Sequence, residues 1–459
     1  MIYSFLGWRF SSRFHGNFNV PLGALVMKIS LSRSFTAASL VFALVLLCSQ
    51  QLLAETLKSK LEVLLQDHRR IVASEYNVSS REKALSSVKA LRFPSLSATS
   101  SLGREHQVNP GANNTSLTPR DLNLTVTQLI TDFGALKSNI EQIRTSKTQS
   151  QEGLRSTRMG VLLEAISAHI GLYTAQILVG YSEDSVFNIR RQTELESARV
   201  SKGSGFSTDV LQAKAQLAGA EARLLQTMNN LYRARNRYVA VFGTLPEKES
   251  KMEQVLVPVA ALPESLVEAL ATARSENPQL RSQQLNIDIA RQSISSARAT
   301  GFFPTLNLVV DHKMKRSVAS VDDFERESII KLELVYNFNL GGSTIHNYRS
   351  QKDLHTSSLN QYHDALNLVN EQVKNAWYQY DTARRNAVTL ENQANIAGEF
   401  ARLAVEERQL GRRSLLEVLA AETARINAVS DAVASLADVR LSAFGLLSAI
   451  GTLSLDVIE

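Results

Sequence analysis

Gly203-Ser204-Gly205-Phe206-Ser207-Thr208-Asp209-Val210-Leu211-Gln212-Ala213 returns 208 residues later as Gly411-Arg412-Arg413-Ser414-Leu415-Leu416-Glu417-Val418-Leu419-Ala420-Ala421. In both copies a glycine is followed, after five residues, by an acid and then Val-Leu. Other landmarks recur in the same order. Phe93-Pro94-Ser95-Leu96 returns as Phe303-Pro304-Thr305-Leu306, Asp132-Phe133-Gly134 as Asn339-Leu340-Gly341, and Gly243-Thr244-Leu245 as Gly451-Thr452-Leu453. The period is far above the roughly 20–50 residues of stacked repeat proteins. The chain is therefore one large duplication, and a duplicated chain builds pseudo-symmetric objects, a closed ring among them.

Around each glycine turn the sequence reads as long helix. No proline occurs from Gly134 to Val200, and the stretch from Ser343 to Leu410 is its counterpart. At helical rise each is ~100 Å long if continuous, more than a small globular core requires. After Gly203 a strict seven-residue spacing follows. Val210, Leu217, Leu224, Leu231 and Tyr238 form one stripe, and Ala213, Ala220, Thr227, Ala234 and Val241 a second. After Gly411 the small stripe is Ala421, Ala428, Ser435, Ser442 and Ala449, beside Leu419, Ile426, Val433 and Leu447. Heptads imply helices that coil about neighbours, and two stripes per helix imply two neighbours each, as in a cylinder wall or a bundle.

Four short segments alternate with period two: Ser95–Gly103, Asp121–Gln128, Thr305–Asp311 and Ser328–Phe338. In the last, Ile330, Leu332, Leu334, Tyr336 and Phe338 face one way and Lys331, Glu333 and Asn337 the other. Such alternation suits a barrel strand with lipid outside and water inside, and equally a half-buried soluble sheet. The segments pair as hairpins across the linkers 104–120 and 312–327. Pro94 and Pro304 stand at strand entries, where a missing N–H costs little.

The expected organisation is as follows. Residues 1–54 combine a mis-assigned start with a Sec signal: Met27-Lys28 and Arg33 precede the apolar run 37–47, with cleavage near Ala54 and Met27 as the true start. Residues 55–243 form the first repeat with hairpin 95–128, and 244–278 form a proline-containing linker with a short helix. Residues 279–459 form the second repeat, with hairpin 305–338 and tip turn 411–417. Removing 1–54 takes away four basic residues and no acid, leaving 46 basic against 44 acidic side chains of the original 50 and 44. The basic pI is thus no argument for a nucleic-acid partner. Cys48, the only cysteine, leaves with the signal, so no disulfide or cysteine–metal chemistry is expected in the mature chain. The scattered histidines give no zinc spacing, Ser86-Ser87-Val88-Lys89 lacks the companions of a Ser-x-x-Lys nucleophile, and Gly203-Ser204-Gly205 has no feeding strand or following lysine for a phosphate loop. No enzyme activity, cofactor or metal is expected.

Four strands cannot close a barrel, and open edges are not tolerated in lipid. Three chains supply twelve strands, which can close. At this point the residues carry a resemblance. From about 55 to 455 the chain resembles the TolC family of outer-membrane export ducts. The shared features are the paired Phe-Pro-x-Leu entries, Asp132-Phe133-Gly134 and Leu340-Gly341-Gly342 at strand-to-helix junctions, the Gly-(five)-Asp/Glu-Val-Leu turns, the Gly-Thr-Leu elements, and Asn277-Pro278-Gln279-Leu280. The first half has Asp67-His68-Arg69-Arg70 in place of Asn-Pro.

The resemblance implies a mainly α fold with a small β part. It implies a homotrimer with a 12-stranded outer-membrane barrel continuous with a coiled α-helical barrel reaching into the periplasm. It further implies a periplasmic adaptor (membrane fusion protein), an inner-membrane ABC or resistance-nodulation-division transporter, and outer-membrane lipid as partners. Gly203 and Gly411 become the tip turns of a periplasmic gate. Thr208 and Asp209 lie in the first turn, Arg413 bridges to them, Arg408 joins the locking network, and Glu417 provides a carboxylate ring. Ala420 stands where a second such ring would be, so weakened cation selectivity is expected. Type I protein secretion is the expected cargo class. Multidrug efflux is the alternative, and a periplasmic coiled-coil scaffold or adhesin with a soluble β domain is the rival of another class.

Overall fold

The computed structural model describes residues 57–458 except 109, 112–113, 247–251 and 318–321. These all belong to one compact unit, Thr56–Glu459. The expected signal segment lies outside the described residues. In chain order the elements are α1 (Leu57–Asp67), α2 (Arg69–Ala90), β1 (Ser95–Leu102), β2 (Glu105–Gln107), β3 (Thr115–Leu117), β4 (Arg120–Thr131), α3 (Ala135–Ser201) and α4 (Ser207–Phe242). They continue with α5 (Leu266–Glu276), α6 (Pro278–Phe302), β5 (Thr305–Arg316), β6 (Phe324–Val335), α7 (Ser343–Gln409) and α8 (Leu415–Ile450). Single 3-10 turns stand at Val259–Ala261 and Leu455–Val457.

The duplication is visible in the backbone. Helices α3 and α7 both have 67 residues, and α4 and α8 both have 36. Gly134, Gly203 and Gly243 have positive φ, and so do Gly342, Gly411 and Gly451, each 208 positions further on. These are the helix starts and stops, where a left-handed residue is needed. Asp132 Oδ1 accepts the Gly134 N–H at 3.1 Å and Asn339 Oδ1 accepts the Gly341 N–H at 3.0 Å, so both strand-to-helix junctions turn on a short polar side chain. His68 Nδ1 accepts the Arg70 N–H at 3.3 Å and caps α2. Asn277 Oδ1 caps α6 by accepting from Gln279 and Leu280.

β1, β4, β5 and β6 form one antiparallel sheet in that order. The two expected hairpins are joined through β4–β5 rather than standing apart. β6 ends at Val335, short of the expected Phe338, because its partner β5 begins at Thr305, opposite Val335. β5 and β6 instead run further into the expected 312–327 linker, where Lys313 faces Glu327 at 3.8 Å. The 104–120 linker contains the small hairpin β2–β3, whose three-residue strands are too short to show alternation.

This sheet is inside out. Its rows run Leu96–Val126–Val310–Ile330 on one face and Ser97–Thr125–Asp311–Ile329 on the other. Ile330, Leu332 and Leu334 are 75%, 69% and 65% exposed, while Asp311 is buried and accepts a hydrogen bond from Thr125 at 2.7 Å. A soluble domain covers such an apolar face; here it is bare. The soluble β domain of the scaffold alternative does not fit this arrangement.

The helices lie side by side in two tiers. Beside the sheet the order is α2-α3-α6-α7, and further along it is α4-α3-α8-α7. The heptad stripes find the expected places. Ala421, Ala428, Ser435 and Ser442 on α8 are buried, as are Ala213 and Ala220 on α4. Helix α8 has neighbours on both sides. Leu415 and Leu419 pack with Ile189 of α3, and Val418 and Ala421 pack with Ala401 and Ala404 of α7. Helices α4 and α7 are the edges of that tier, and they carry exposed Leu211, Leu225, Tyr232, Tyr378, Val388 and Ile396. Apolar windows of α3 and α8 are long enough to cross a bilayer, but about half of each (50% and 44%) is buried inside the chain. They are packing surfaces of the helical tier.

The largest core lies where the repeats meet. It joins Leu61 of α1, Ile166 of α3, Ala269 of α5, Leu280 of α6, Val369 of α7 and Phe444 of α8. Asn277 Nδ2 donates to the Ala449 carbonyl at 2.9 Å there, and Arg155 donates to the Gly451 carbonyl at 3.0 Å. Buried His169 contacts the Glu253 carbonyl at 2.9 Å and so ties the linker strap to α3.

The equivalent glycines give an internal test. At Gly243 (φ 83°) an added Cβ meets open space, and alanine should cost about 1–2 kcal/mol of left-handed strain. At Gly451 (φ 90°) the same Cβ would lie 2.7 Å from the Asn277 Cα and the Glu276 carbonyl oxygen. Backbone cannot yield there, so Gly451→Ala should cost about 3 kcal/mol or more. Thermal unfolding should show the larger fall in Tm for Gly451→Ala; equal falls would mean that this junction is soft.

Candidate functional site at the helix tips

Four helix ends meet at the turns 202–206 and 410–414. Gly203 (φ 75°) and Gly411 (φ 72°) reverse the chain after each 67-residue helix. At the start of α8, Ser414 and Glu417 form a reciprocal capping box. The Ser414 side chain accepts the Glu417 N–H at 3.3 Å, and Glu417 Oε2 accepts the Ser414 N–H at 3.0 Å. At the start of α4, Asp209 sits half-buried in the first turn beside exposed Thr208, where an acid complements the helix dipole.

A buried ion pair ties the two turns together. Arg408 Nη2 lies 2.7 Å from Glu196 Oε2, joining the ends of α7 and α3, and Arg408 Nη1 donates to the Arg413 carbonyl at 3.1 Å. The Glu196 side chain is 4% exposed and that of Arg408 is 20% exposed. Arg199 stands 3.7 Å from the same Glu196 carboxylate. Gly205 leaves room for that carboxylate, since a Cβ there would lie 3.1 Å from Glu196 Oε1.

Arg413 pairs locally with the end of α7. Within one chain its Nε donates to Glu407 at 2.7 Å, and its guanidinium lies 5.1 Å over the Phe400 ring. The chain does not bring it to Thr208 or Asp209. Arg408 therefore makes the intrachain cross-link. Its partner Glu196 escaped the sequence reading, although it stands one heptad beyond buried Ile189, where an apolar residue would be expected. Beside the tip, a groove of about 470 Å³ between α3, α7 and α8 is lined by residues including Ile189, Arg191, Arg402, Leu419 and Arg425.

The Ser414 backbone N–H, and after it the Ser414 hydroxyl, hold the Glu417 carboxyl below the usual carboxylate range. A depressed folded pKa means that the cap stabilises above the unfolded value and is lost as pH falls through the folded one. Acidification below about pH 4 should therefore speed amide exchange at 414–418, after correction for intrinsic rates. Glu417→Gln should abolish this acid step, and persistence of the step in that variant would assign it elsewhere.

The duplication, the bare apolar sheet face and the paired tip turns meet a family model described as "outer membrane efflux protein", which matches residues 61–244 and again 269–452. The chain belongs to the outer membrane efflux protein family. The two matches are themselves 208 residues apart, and the second begins in α5. Outer membrane efflux protein BepC of Brucella suis is 24% identical over 430 residues, covering 92% of this chain and 91% of that one. Alkaline protease secretion protein AprF of Pseudomonas aeruginosa is 23% identical over 288 residues, covering 61% and 59%. The Campylobacter jejuni CmeC outer membrane channel shares the fold, with a TM-score of 0.74 at 14% identity over 86% of this chain and 85% of that one. This efflux-family protein is thus an outer-membrane export channel of the TolC type, mainly α with a small sheet.

Proposed function

We propose that three copies close into one tunnel: a twelve-stranded barrel in the outer membrane and a helical barrel reaching into the periplasm, serving as a passive conduit gated at the helix tips. The observation that carries this is that sheet and helix tiers each present four elements with two open edges. Among the described residues β1 and β6 leave their outer ladder groups unpaired, and α4 and α7 leave apolar side chains bare. Threefold repetition closes every tier at once, and the apolar sheet face then meets lipid.

The cargo favoured is protein, delivered by type I secretion with an inner-membrane ABC transporter and a periplasmic adaptor. The likeness to a protein named for alkaline protease secretion supports this. Multidrug efflux with a resistance-nodulation-division transporter is the second reading, favoured by the longer match to a protein named for efflux. The groove beside the tip mixes apolar side chains with charges of both signs, Arg402 pairing with Glu406 and Arg425 with Glu422, a lining suited to an adaptor helix.

Single-channel recording from the detergent-purified mature chain in a planar bilayer tests the conduit. Discrete, small conductance steps are expected from a constricted tip, and a protein that never conducts would overturn the reading. Arg413→Ala should raise conductance only modestly, because its pair with Glu407 is partly exposed and such pairs contribute about 0–1 kcal/mol. A wide-open channel from Arg413→Ala alone would show that Arg413 also links to a neighbouring subunit through Thr208 or Asp209.

A further inference from the structure

At the hairpin end of the sheet, charge is sorted by face. The register places Leu102, Arg120, Arg316 and Phe324 in one row, and Leu122, Met314 and Arg326 in the next. Both rows lie on the face that carries Val310 and Ile330, beyond the row Ala98–Leu124–His312–Ser328, in which His312 Nδ1 lies 2.8 Å from Ser328 Oγ. The intervening acids Glu325 and Glu327 fall on the opposite, polar face, opposite Lys315 and Lys313. Phe324-Glu325-Arg326-Glu327 thus sends its cation outward and its anions inward. Arg120 and Arg316 are direct cross-strand neighbours with Cα atoms about 5 Å apart, a placement that is unfavourable for like charges. All three arginines are exposed, and no carboxylate among the described residues pairs with any of them. Arg326 instead lies 4.9 Å over the Phe324 ring.

A water-facing surface would disperse such a cluster or pair it with acids. A lipid-facing surface has a different source of anions. Helices leave the sheet at its other end, so the hairpin end is the one remote from the periplasm. The aromatic residues Tyr336 and Phe338, in edge-to-face contact at 4.3 Å, flank the apolar rows on the helix side, and Phe324 flanks them on the hairpin side. Aromatic side chains at both margins mark the two headgroup levels of a barrel. The arginines then sit at the outward headgroup level. Guanidinium groups bind phosphate through paired N–H donors and retain their charge at that depth.

We infer that Arg120, Arg316 and Arg326 form a binding site on the outer wall of the barrel for the phosphate groups of an anionic lipid in the outward leaflet. One such site stands on each subunit. A phosphate between Arg120 and Arg316 turns their repulsion into a shared attraction, so lipid binding also strengthens the β4–β5–β6 rim. The inference rests on the outer-membrane placement of the sheet and goes beyond the conduit itself.

The test is native mass spectrometry of the purified protein in an uncharged detergent, titrated with bis-phosphorylated lipid A. Wild type should hold up to one lipid per subunit. Arg120→Gln/Arg316→Gln/Arg326→Gln should weaken binding at least tenfold, and lysine at the same positions should restore part of it. Dephosphorylated lipid A should not bind. Equal binding by the glutamine variant, or binding indifferent to the phosphates, would overturn the site. Displacement of the lipid by equimolar inorganic phosphate would also overturn it and leave a simple anion site. If the triple variant fails to assemble, Arg326→Gln alone carries the same expectation, with a loss of at least threefold, and its failure to weaken binding counts equally against the site. Conductance of the same preparation separates the two ideas, because a conducting channel that ignores lipid A sinks the arginine site and leaves the tunnel standing.

Discussion

Ile330→Arg should abolish the assembled trimer in the outer membrane, whereas Lys331→Ala, one residue away, should leave it in place. Ile330 is 75% exposed in the row Leu96–Val126–Val310–Ile330, near the middle of the apolar band. An arginine on the lipid face at mid-bilayer costs about 2–4 kcal/mol, and threefold symmetry applies that cost three times to one assembly. Lys331 points to the polar side, 3.6 Å from Asp311, whose carboxylate keeps the Thr125 hydroxyl when the lysine is removed. The measurement is the amount of heat-modifiable trimer recovered from outer membranes. Normal assembly of Ile330→Arg, with loss on Lys331→Ala, would mean that the faces of the sheet are assigned the wrong way round.

Arg408→Ala should open the tip far more than Arg413→Ala does. It leaves Glu196, 4% exposed, with only the more distant Arg199 for compensation. Breaking one side of a buried pair costs about 3–5 kcal/mol, and Arg199 places this case at the low end. Glu196→Ala should be milder, since Arg408 retains the Arg413 carbonyl and can turn toward water. The Glu196→Ala/Arg408→Ala variant should be no worse than Arg408→Ala alone, the mark of coupling in a double-mutant cycle. Conductance in planar bilayers reads all three variants. Strict additivity of the two single effects would remove this pair from the gate.

Much of this architecture was legible in the residues because long-range order here is periodic. The recurrence of Gly203 at Gly411 and of Gly243 at Gly451 marks turns that require a left-handed residue, and the structure shows that conformation at each. The heptads of α4 and α8 predict which small side chains are buried, since a helix of 36 residues keeps its register against its neighbours. What escaped the reading is not periodic. The hairpin β2–β3 has three residues per strand. The joining of β4 to β5 depends on a contact between the repeats. The stripe Leu419, Ile426, Val433 and Leu447 passes through Arg440, and burial lowers the pKa of that guanidinium. The partner of Arg408 lies 212 residues away, and one ion pair across that separation leaves no trace in spacing.

In the proposed trimer the open edges β1 and β6 pair between subunits. The chain contains a single cysteine, Cys48, ahead of the described residues, so introduced cysteines can be read cleanly. The decisive measurement is disulfide cross-linking in native outer membranes, with one cysteine scanned along Leu96, Ala98 and Ser100 of β1 and the other at Ile330 or Leu332 of β6. Edge pairing predicts that at least one combination gives a ladder of covalent dimer and trimer that stops at three. Absence of cross-links in every combination, or a ladder that continues past three, would contradict a closed trimeric barrel.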